Sequence, residues 1–228
     1  MSTRQITQIA IDGPGGSGKS TVAKLVSQQL GFTYVDTGAI YRAIAFYCLR
    51  HEIEPTDRVA VTAALKEIQI TITYIENTQQ VFLNGENVSN HIRSLPVSQA
   101  TSMVSSYPEV RDKLLDLQRN MAKNQSVVMD GRDIGTVVLP HAQVKVFLTA
   151  SVETRAARRL AELQAQAVEV QADLAQVIKE IEERDHRDST REVAPLIPAE
   201  DAVFIDTTDL NIKEVTQKII NLVEGQVR

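Results

Sequence analysis

The chain has no tryptophan, a single cysteine and only 4% aromatic residues among its 228 positions. It also lacks any run near the roughly 18 consecutive apolar residues that a membrane span needs. Cys48 alone excludes an intramolecular disulfide and an all-cysteine zinc site, and suits a reducing compartment. Its flanks, Ala45-Phe46-Tyr47 and Leu49, read as a packed thiol on a buried helix face. Met1 to Gln8 carry no apolar signal-peptide core, so a cytoplasmic protein is predicted. His51, His91, His141 and His186 show no metal-ligand spacing. Twenty-nine acids against 24 bases leave a net charge of −5. That balance argues against nucleic acid or a membrane surface as partner, and makes any anion site local.

What is present is an ordinary globular composition, 43% apolar and 23% charged. The length suits one core domain with embedded subdomains, able to bury about 70% of its unfolded surface. Ile9-Ala10-Ile11 enters a glycine-rich turn, and Val22, Ala23, Leu25, Val26 and Leu30 then follow near helical spacing up to Gly31. Phe32 to Val35 predicts a second strand ending at Asp36, and Ala39 to Leu49 a second helix. Such alternation predicts a parallel sheet covered on both faces. The middle differs. A helix starts near Pro55-Thr56-Asp57, Ile68 to Tyr74 alternates apolar with polar, and Asn84-Gly85 joins Val81-Phe82-Leu83 to Glu86-Asn87-Val88 as a hairpin. Pro96 and Pro108 punctuate the return, Pro108 opening a helix that carries Val110, Leu114, Leu117 and Met121. Val127 to Asp130, Val144 to Leu148 and Val203 to Asp206 resume the core strands, closed by a C-terminal helix through Ile219 and Ile220. Arg155 to Arg191 is polar helix former with arginines at 155, 158, 159, 184, 187 and 191. Phe46, Tyr47, Phe82 and Phe147 are read as core, since aromatic side chains dominate burial.

Gly13-Pro14-Gly15-Gly16-Ser17-Gly18-Lys19-Ser20 satisfies G-x-x-x-x-G-K-[ST], the phosphate-binding P-loop, and Thr21 follows it into the helix. Glycines let backbone N–H groups turn around an anion, the helix N-terminus adds its dipole, and Lys19 reaches the β- and γ-phosphates of ATP. The Ser20 hydroxyl is the candidate ligand of Mg²⁺. Gly13-x-Gly15-x-x-Gly18 also matches the dinucleotide fingerprint, with Asp36 where a ribose-binding acid would stand. That alternative leaves Lys19 and Ser20 unexplained. No N-K-x-D guanine reader occurs, which argues against a GTP switch, while a partner-regulated ATPase and a kinase for another small acceptor such as shikimate stay open.

Asp36-Thr37-Gly38-Ala39-Ile40-Tyr41-Arg42, Asp130-Gly131-Arg132-Asp133-Ile134-Gly135-Thr136 and the run from Glu183 to Arg191 together resemble the bacterial cytidylate kinases, over essentially the whole chain. The resemblance implies a three-layer α/β P-loop fold with a five-stranded parallel sheet. The core would comprise 1–64, 96–154 and 192–228, with an antiparallel acceptor-binding insertion at 65–95 and a closing helical lid at 155–191. It implies a monomer that phosphorylates CMP and dCMP from ATP with Mg²⁺.

By the same resemblance, Arg42 and Arg132 bind the acceptor phosphate, where a guanidinium can hold two oxygens. Asp133, Ser102 and Arg111 read cytosine, the carboxylate accepting from the N4 amino group that UMP lacks. Arg184 and Asp188 contact the ribose, and Thr37 joins the acceptor set. Arg191, with Arg158 and Arg159, faces the transferring phosphoryl group, so that Lys19, Arg132, Arg158 and Arg191 are the expected catalytic cations. Arg187 is read as a surface ion pair at i, i+3 or i+4 spacing. Arg155 and Arg159, also four apart, divide between a solvated helix face and function. Asp12 and Asp36 are read as orienting backbone near the P-loop, and Asp130 as acting on Mg²⁺ through water.

Overall fold

A computed structural model describes residues 6–165 and 173–226. The stretch 166–172 of the expected lid, and the ends 1–5 and 227–228 of the expected core, lie outside the described residues. Five strands, β1 (Gln8–Asp12), β2 (Thr33–Asp36), β6 (Val127–Gly131), β7 (Val144–Thr149) and β8 (Val203–Asp206), form one parallel sheet in the order β2-β6-β1-β7-β8. Alternation along them divides the core. Ile9, Ile11, Val128, Val146 and Leu148 pack against Val22, Ala23 and Val26 of α1 (Lys19–Leu30) and Val215, Ile219 and Val223 of α8 (Ile212–Gln226). Ala10, Val35, Val127 and Met129 face the opposite way, onto Ile134, Val138 and Ala122. Burial on both faces explains why the central strands β1 and β6 read as continuous apolar runs, whereas the edge strand β8 leaves Val203 and Phe204 exposed. The three-layer α/β class expected from the motifs is therefore present.

Local chemistry sets the helix ends. Gly31 in the left-handed region closes α1, its N–H reaching the Gln28 carbonyl. The Asp36 carboxylate accepts from the Ala39 N–H at 2.9 Å and opens α2 (Thr37–Arg50), and Asp57 opens α3 (Arg58–Ala64) in the same way. Cys48 is fully buried in α2. The four histidines are exposed, and Phe46, Phe82 and Phe147 are half-buried rather than wholly so.

The hairpin strands β3 (Ile70–Ile75), β4 (Thr78–Leu83) and β5 (Glu86–Asn87) form a separate antiparallel sheet. Val81, Leu83, Val88 and Ile92 share one apolar cluster with α2, α4 (Leu95–Val104) and α5 (Pro108–Met121). The insertion is thus welded to the core by a common interior. Pro96 stands in the first turn of α4 and starts a helix there, where the sequence marked only a break. The polar segment forms α6 (Val152–Ala165) and α7 (Leu174–Thr190).

Candidate active site

The P-loop and Thr207 follow, and Asp36 and Asp130-Gly131 form, the carboxyl ends of parallel strands, where open α/β sheets bind ligands. Gly13 has φ of +144°, and a Cβ there would stand 1.9 Å from the Leu148 carbonyl oxygen, so the loop can leave β1 only through glycine. The Lys19 ammonium donates to the Pro14 carbonyl at 2.6 Å and the Ser17 hydroxyl at 3.3 Å. Burial and then the neighbouring Arg132 hold its pKa well below the ordinary lysine range.

A cavity of about 1090 Å³ opens over this loop. From the sequence-derived set it takes Gly15 through Thr21, Arg42, Ser102, Arg132, Arg158 and Arg184 onto its walls. Gly13, Pro14, Thr37, Arg111, Asp133, Asp188 and Arg191 do not line it. Thr37 donates to the Asp130 carbonyl at 2.7 Å and ties β2 to β6. Asp133 and Arg111 form a buried ion pair, with Arg191 3.7 Å from the other carboxylate oxygen and the Tyr41 ring 5.4 Å from the Arg111 guanidinium. Asp188 accepts from Arg132 Nε at 3.0 Å and lies 3.8 Å from Arg184.

Electrostatics favour an anion in the cavity. Arg42 Nε and Arg184 Nε, on side chains that line it, are buried without a hydrogen-bond acceptor among the described residues, as is Arg191 Nη2, which lies off its wall beside Asp133. Burial and then Arg132 push Arg184 down to about 10. An anion on this wall would relieve the repulsion between Arg132 and Arg184, its oxygens accepting what the guanidiniums still offer. Asp188 stays below the usual carboxylate range although burial opposes it, because Arg132, Arg184 and Arg191 outweigh the burial.

Carboxylates orient the loops. Asp12 accepts from the Ile134 and Gly135 N–H groups at 2.8 and 2.7 Å and so fixes the turn that presents Arg132 and Asp133. Burial nevertheless pushes its pKa up to about 7. Asp36 accepts from Arg42 at 2.7 Å and from Arg93 at 3.2 Å. Ser20 donates to Asp130 at 2.7 Å and Tyr34 to its other oxygen at 2.9 Å. A serine hydroxyl beside a carboxylate is an oxygen set suited to Mg²⁺, which takes few protein ligands and completes its shell with phosphates and water.

Several participants escaped motif reading. Arg187 is exposed, as a surface residue should be, but makes no ion pair among the described residues: its Nε donates to Ser102 Oγ at 3.3 Å and it lines the cavity, because the winding of α7 turns it toward α4. Arg155 is no solvated side chain, being 4% exposed. Arg158 donates to the Thr207 carbonyl at 2.7 Å and the Thr207 hydroxyl at 3.0 Å. Thr207, Leu210 and Lys213 join the wall, and only the placement of Thr207 at a strand's carboxyl end could have signalled them. Gln79 of the insertion embraces the Asp36 backbone, accepting from its N–H at 2.9 Å and donating to its carbonyl at 3.0 Å.

A P-loop at the carboxyl edge of a parallel sheet, opposed across one cavity by unsatisfied arginines, defines a P-loop phosphotransferase that handles two anionic substrates. The cytidylate kinase family model matches residues 9–225, and the chain belongs to that family. A cytidylate kinase of Desulfitobacterium hafniense is 50% identical over 220 residues, 96% of this chain and 94% of the relative. One from a Geobacillus species is 50% identical over 224 residues, covering 98% and 99%. In structure, an uncharacterized protein from Eubacterium ventriosum superposes with a TM-score of 0.51 at 14% identity, covering 96% of this chain and 99% of that one, which is a likeness of fold.

Proposed function

We infer that this enzyme transfers the γ-phosphoryl group of ATP to CMP and dCMP, giving ADP with CDP or dCDP. The observation that carries the reading is the family's motif set on the P-loop and on the arginine wall facing it, within relatives about half identical over their whole length. The acceptor phosphate is ionised near neutral pH, so the transfer asks for charge neutralisation and alignment rather than a strong base. The P-loop amides and Lys19 hold the donor phosphates. Arg42 and Arg132 grip the acceptor phosphate, Arg184 and Asp188 hold the ribose, and Asp133, Arg111 and Ser102 read the base. Arg191 supports the transferring group, with Arg158 positioned from the Thr207 side. Arginine in such a role contributes about 10³ to 10⁵ in rate where an arginine finger has been removed.

Ser20, with Asp130 acting through water, would hold Mg²⁺, which neutralises phosphate charge when bound. Residues 65–95 serve as the acceptor-binding insertion and 155–191 as a lid whose closure keeps water from the bound ATP. The enzyme acts as a cytoplasmic monomer on small nucleotides, without nucleic-acid or membrane partners. Light scattering behind size exclusion checks the monomer. The decisive assay is coupled ADP release from Mg-ATP with CMP, dCMP, UMP, AMP, GMP, shikimate or no acceptor. Rates with CMP and dCMP at least about tenfold above the purine nucleotides are expected, that being 1.4 kcal/mol of discrimination. Equal release without any acceptor overturns the reading in favour of an ATPase, and a rate confined to shikimate in favour of another acceptor.

A further inference from the structure

Arg155 is a buried cation to which none of the roles above gives work. It leaves the first turn of α6 with its side chain 5% exposed and meets three separate parts of the molecule. Its Nε donates to the Ala150 carbonyl at 3.0 Å, at the end of β7. One terminal nitrogen, Nη1, donates to the Gly15 carbonyl inside the P-loop at 3.2 Å. The same nitrogen lies 2.6 Å from an Asp185 carboxylate oxygen on α7. The other Asp185 oxygen is buried without a partner among the described residues. The contact with the loop is close along its length, since a Cβ on Gly16 would stand 2.9 Å from that of Arg155 and 3.1 Å from its carbonyl oxygen.

Peptide geometry gives these contacts a consequence. No peptide bond among the described residues is cis. In a trans peptide the carbonyl oxygen of one residue and the N–H of the next point in opposite directions. Holding the Gly15 carbonyl toward α6 therefore turns the Gly16 N–H away from α6. With φ of +77° and no side chain, Gly16 would otherwise move freely through peptide orientations. Oriented amides in such a loop are what bind phosphate. On the other side, Asp185 immediately follows Arg184 and stands one turn from Asp188 and Ser189. A grip on Asp185 thus sets the rotation of the helix that carries Arg184 and Arg187 to the cavity and Asp188 to Arg132.

We propose that Arg155 is a positioning residue that presets the Gly15–Gly16 peptide of the P-loop for the donor phosphates and, through Asp185, registers the arginine-bearing helix α7 against that loop. The proposal rests on the P-loop being the donor-phosphate site. It touches no substrate in this role, so its effect is carried by the amide and by the helix.

Two variants separate the two halves. Arg155→Lys keeps the charge but cannot span three acceptors in a fork. Asp185→Asn, at a side chain that is 25% exposed, keeps an oxygen for Arg155 and loses the charge. Inorganic tripolyphosphate, titrated by calorimetry, probes the P-loop without a nucleoside, and steady-state kinetics with Mg-ATP and CMP probe the transfer. Arg155→Lys is expected to weaken tripolyphosphate about fivefold or more. Asp185→Asn is expected to leave tripolyphosphate within about twofold while kcat falls about tenfold to a hundredfold, the scale of a small misplacement of reacting groups. In both variants acceptor-independent ATP hydrolysis should rise relative to transfer, a ratio that loss of stability alone leaves unchanged in the folded fraction.

Wild-type tripolyphosphate affinity in Arg155→Lys overturns the amide half. An unchanged kcat and hydrolysis ratio in Asp185→Asn overturns the helix half, even if Arg155→Lys does not fold. Lys19→Ala is the control for the underlying reading: if it also binds tripolyphosphate as wild type does, the P-loop assignment fails independently of Arg155.

Discussion

Replacing Asp133 by asparagine exchanges one carboxylate oxygen for an amide nitrogen at nearly constant volume, in a position 4% exposed. One oxygen is held by Arg111, so the new carbonyl stays there and the NH₂ takes the place of the oxygen that lies 3.7 Å from Arg191. A group that could only accept now donates, toward both Arg191 and the position assigned to cytosine N4. A hydrogen bond involving a charged partner contributes about 1.5 to 3 kcal/mol, so kcat/KM for CMP should fall about 10- to 150-fold. UMP carries an acceptor at that position and should hold its rate or gain. The CMP-to-UMP ratio therefore drops by at least about an order of magnitude, the sense in which hydrogen-bonding sites discriminate. Stability also suffers, because two buried guanidiniums lose counter-charge. Taking about 3 to 5 kcal/mol for that loss, and about 2 to 4 °C per kcal/mol at this chain length, the melting midpoint falls about 6 to 20 °C. Coupled ADP assays at 25 °C with CMP and UMP then measure chemistry on folded enzyme, as circular dichroism verifies. An unchanged CMP-to-UMP ratio in a folded variant refutes base reading by Asp133.

Lys19→Ala should lose most turnover with the far-ultraviolet spectrum intact, and wild-type kcat would remove the P-loop mechanism. Gly13→Ala forces a side chain to 1.9 Å from the Leu148 carbonyl, so soluble expression or melting temperature should collapse, and a wild-type melting curve would contradict the tight exit from β1. The Gln79→Ala variant frees the insertion from the Asp36 backbone and should raise KM for CMP severalfold with KM for ATP unchanged; equal rises in both would argue against a link to acceptor binding. Asp12 gains affinity for its proton on folding, burial pushing its pKa from the ordinary 3.8 up to about 7. Its contribution is present at low pH and lost as pH rises through that window, so wild type should lose stability relative to Asp12→Asn between pH 4 and about 7. Urea midpoints across that range would have to diverge the other way, or run parallel, to defeat the argument.

Legibility differed by element for physical reasons. β1, the P-loop and α1 were readable because glycine, lysine and helical periodicity act over a dozen neighbouring residues, and the Asn84-Gly85 hairpin because its turn chemistry is equally local. α4 was missed because Pro96 reads as an interruption unless its place in the first turn is known. Arg187 and Arg155 were misjudged, or left undecided, for a different reason. Spacing of three and four along a helix is shared by solvated ion pairs, by side chains that face a cavity, as Arg187 does, and by buried ones such as Arg155, and only the packing of that helix separates them.

The chain alone determined the phosphate-binding loop, the parallel-sheet class and, through three short strings, the family. Those depend on backbone conformations that neighbouring residues dictate. Tertiary structure decided which charges meet. It put Asp133 on Arg111 across 22 positions, Arg187 on Ser102 across 85 and Arg155 on Gly15 across 140. Hydrogen bonds need contact distance and Coulomb attraction is screened over about 10 Å, so the chemistry of these side chains follows from the folded sheet that brings them together and not from their order along the chain.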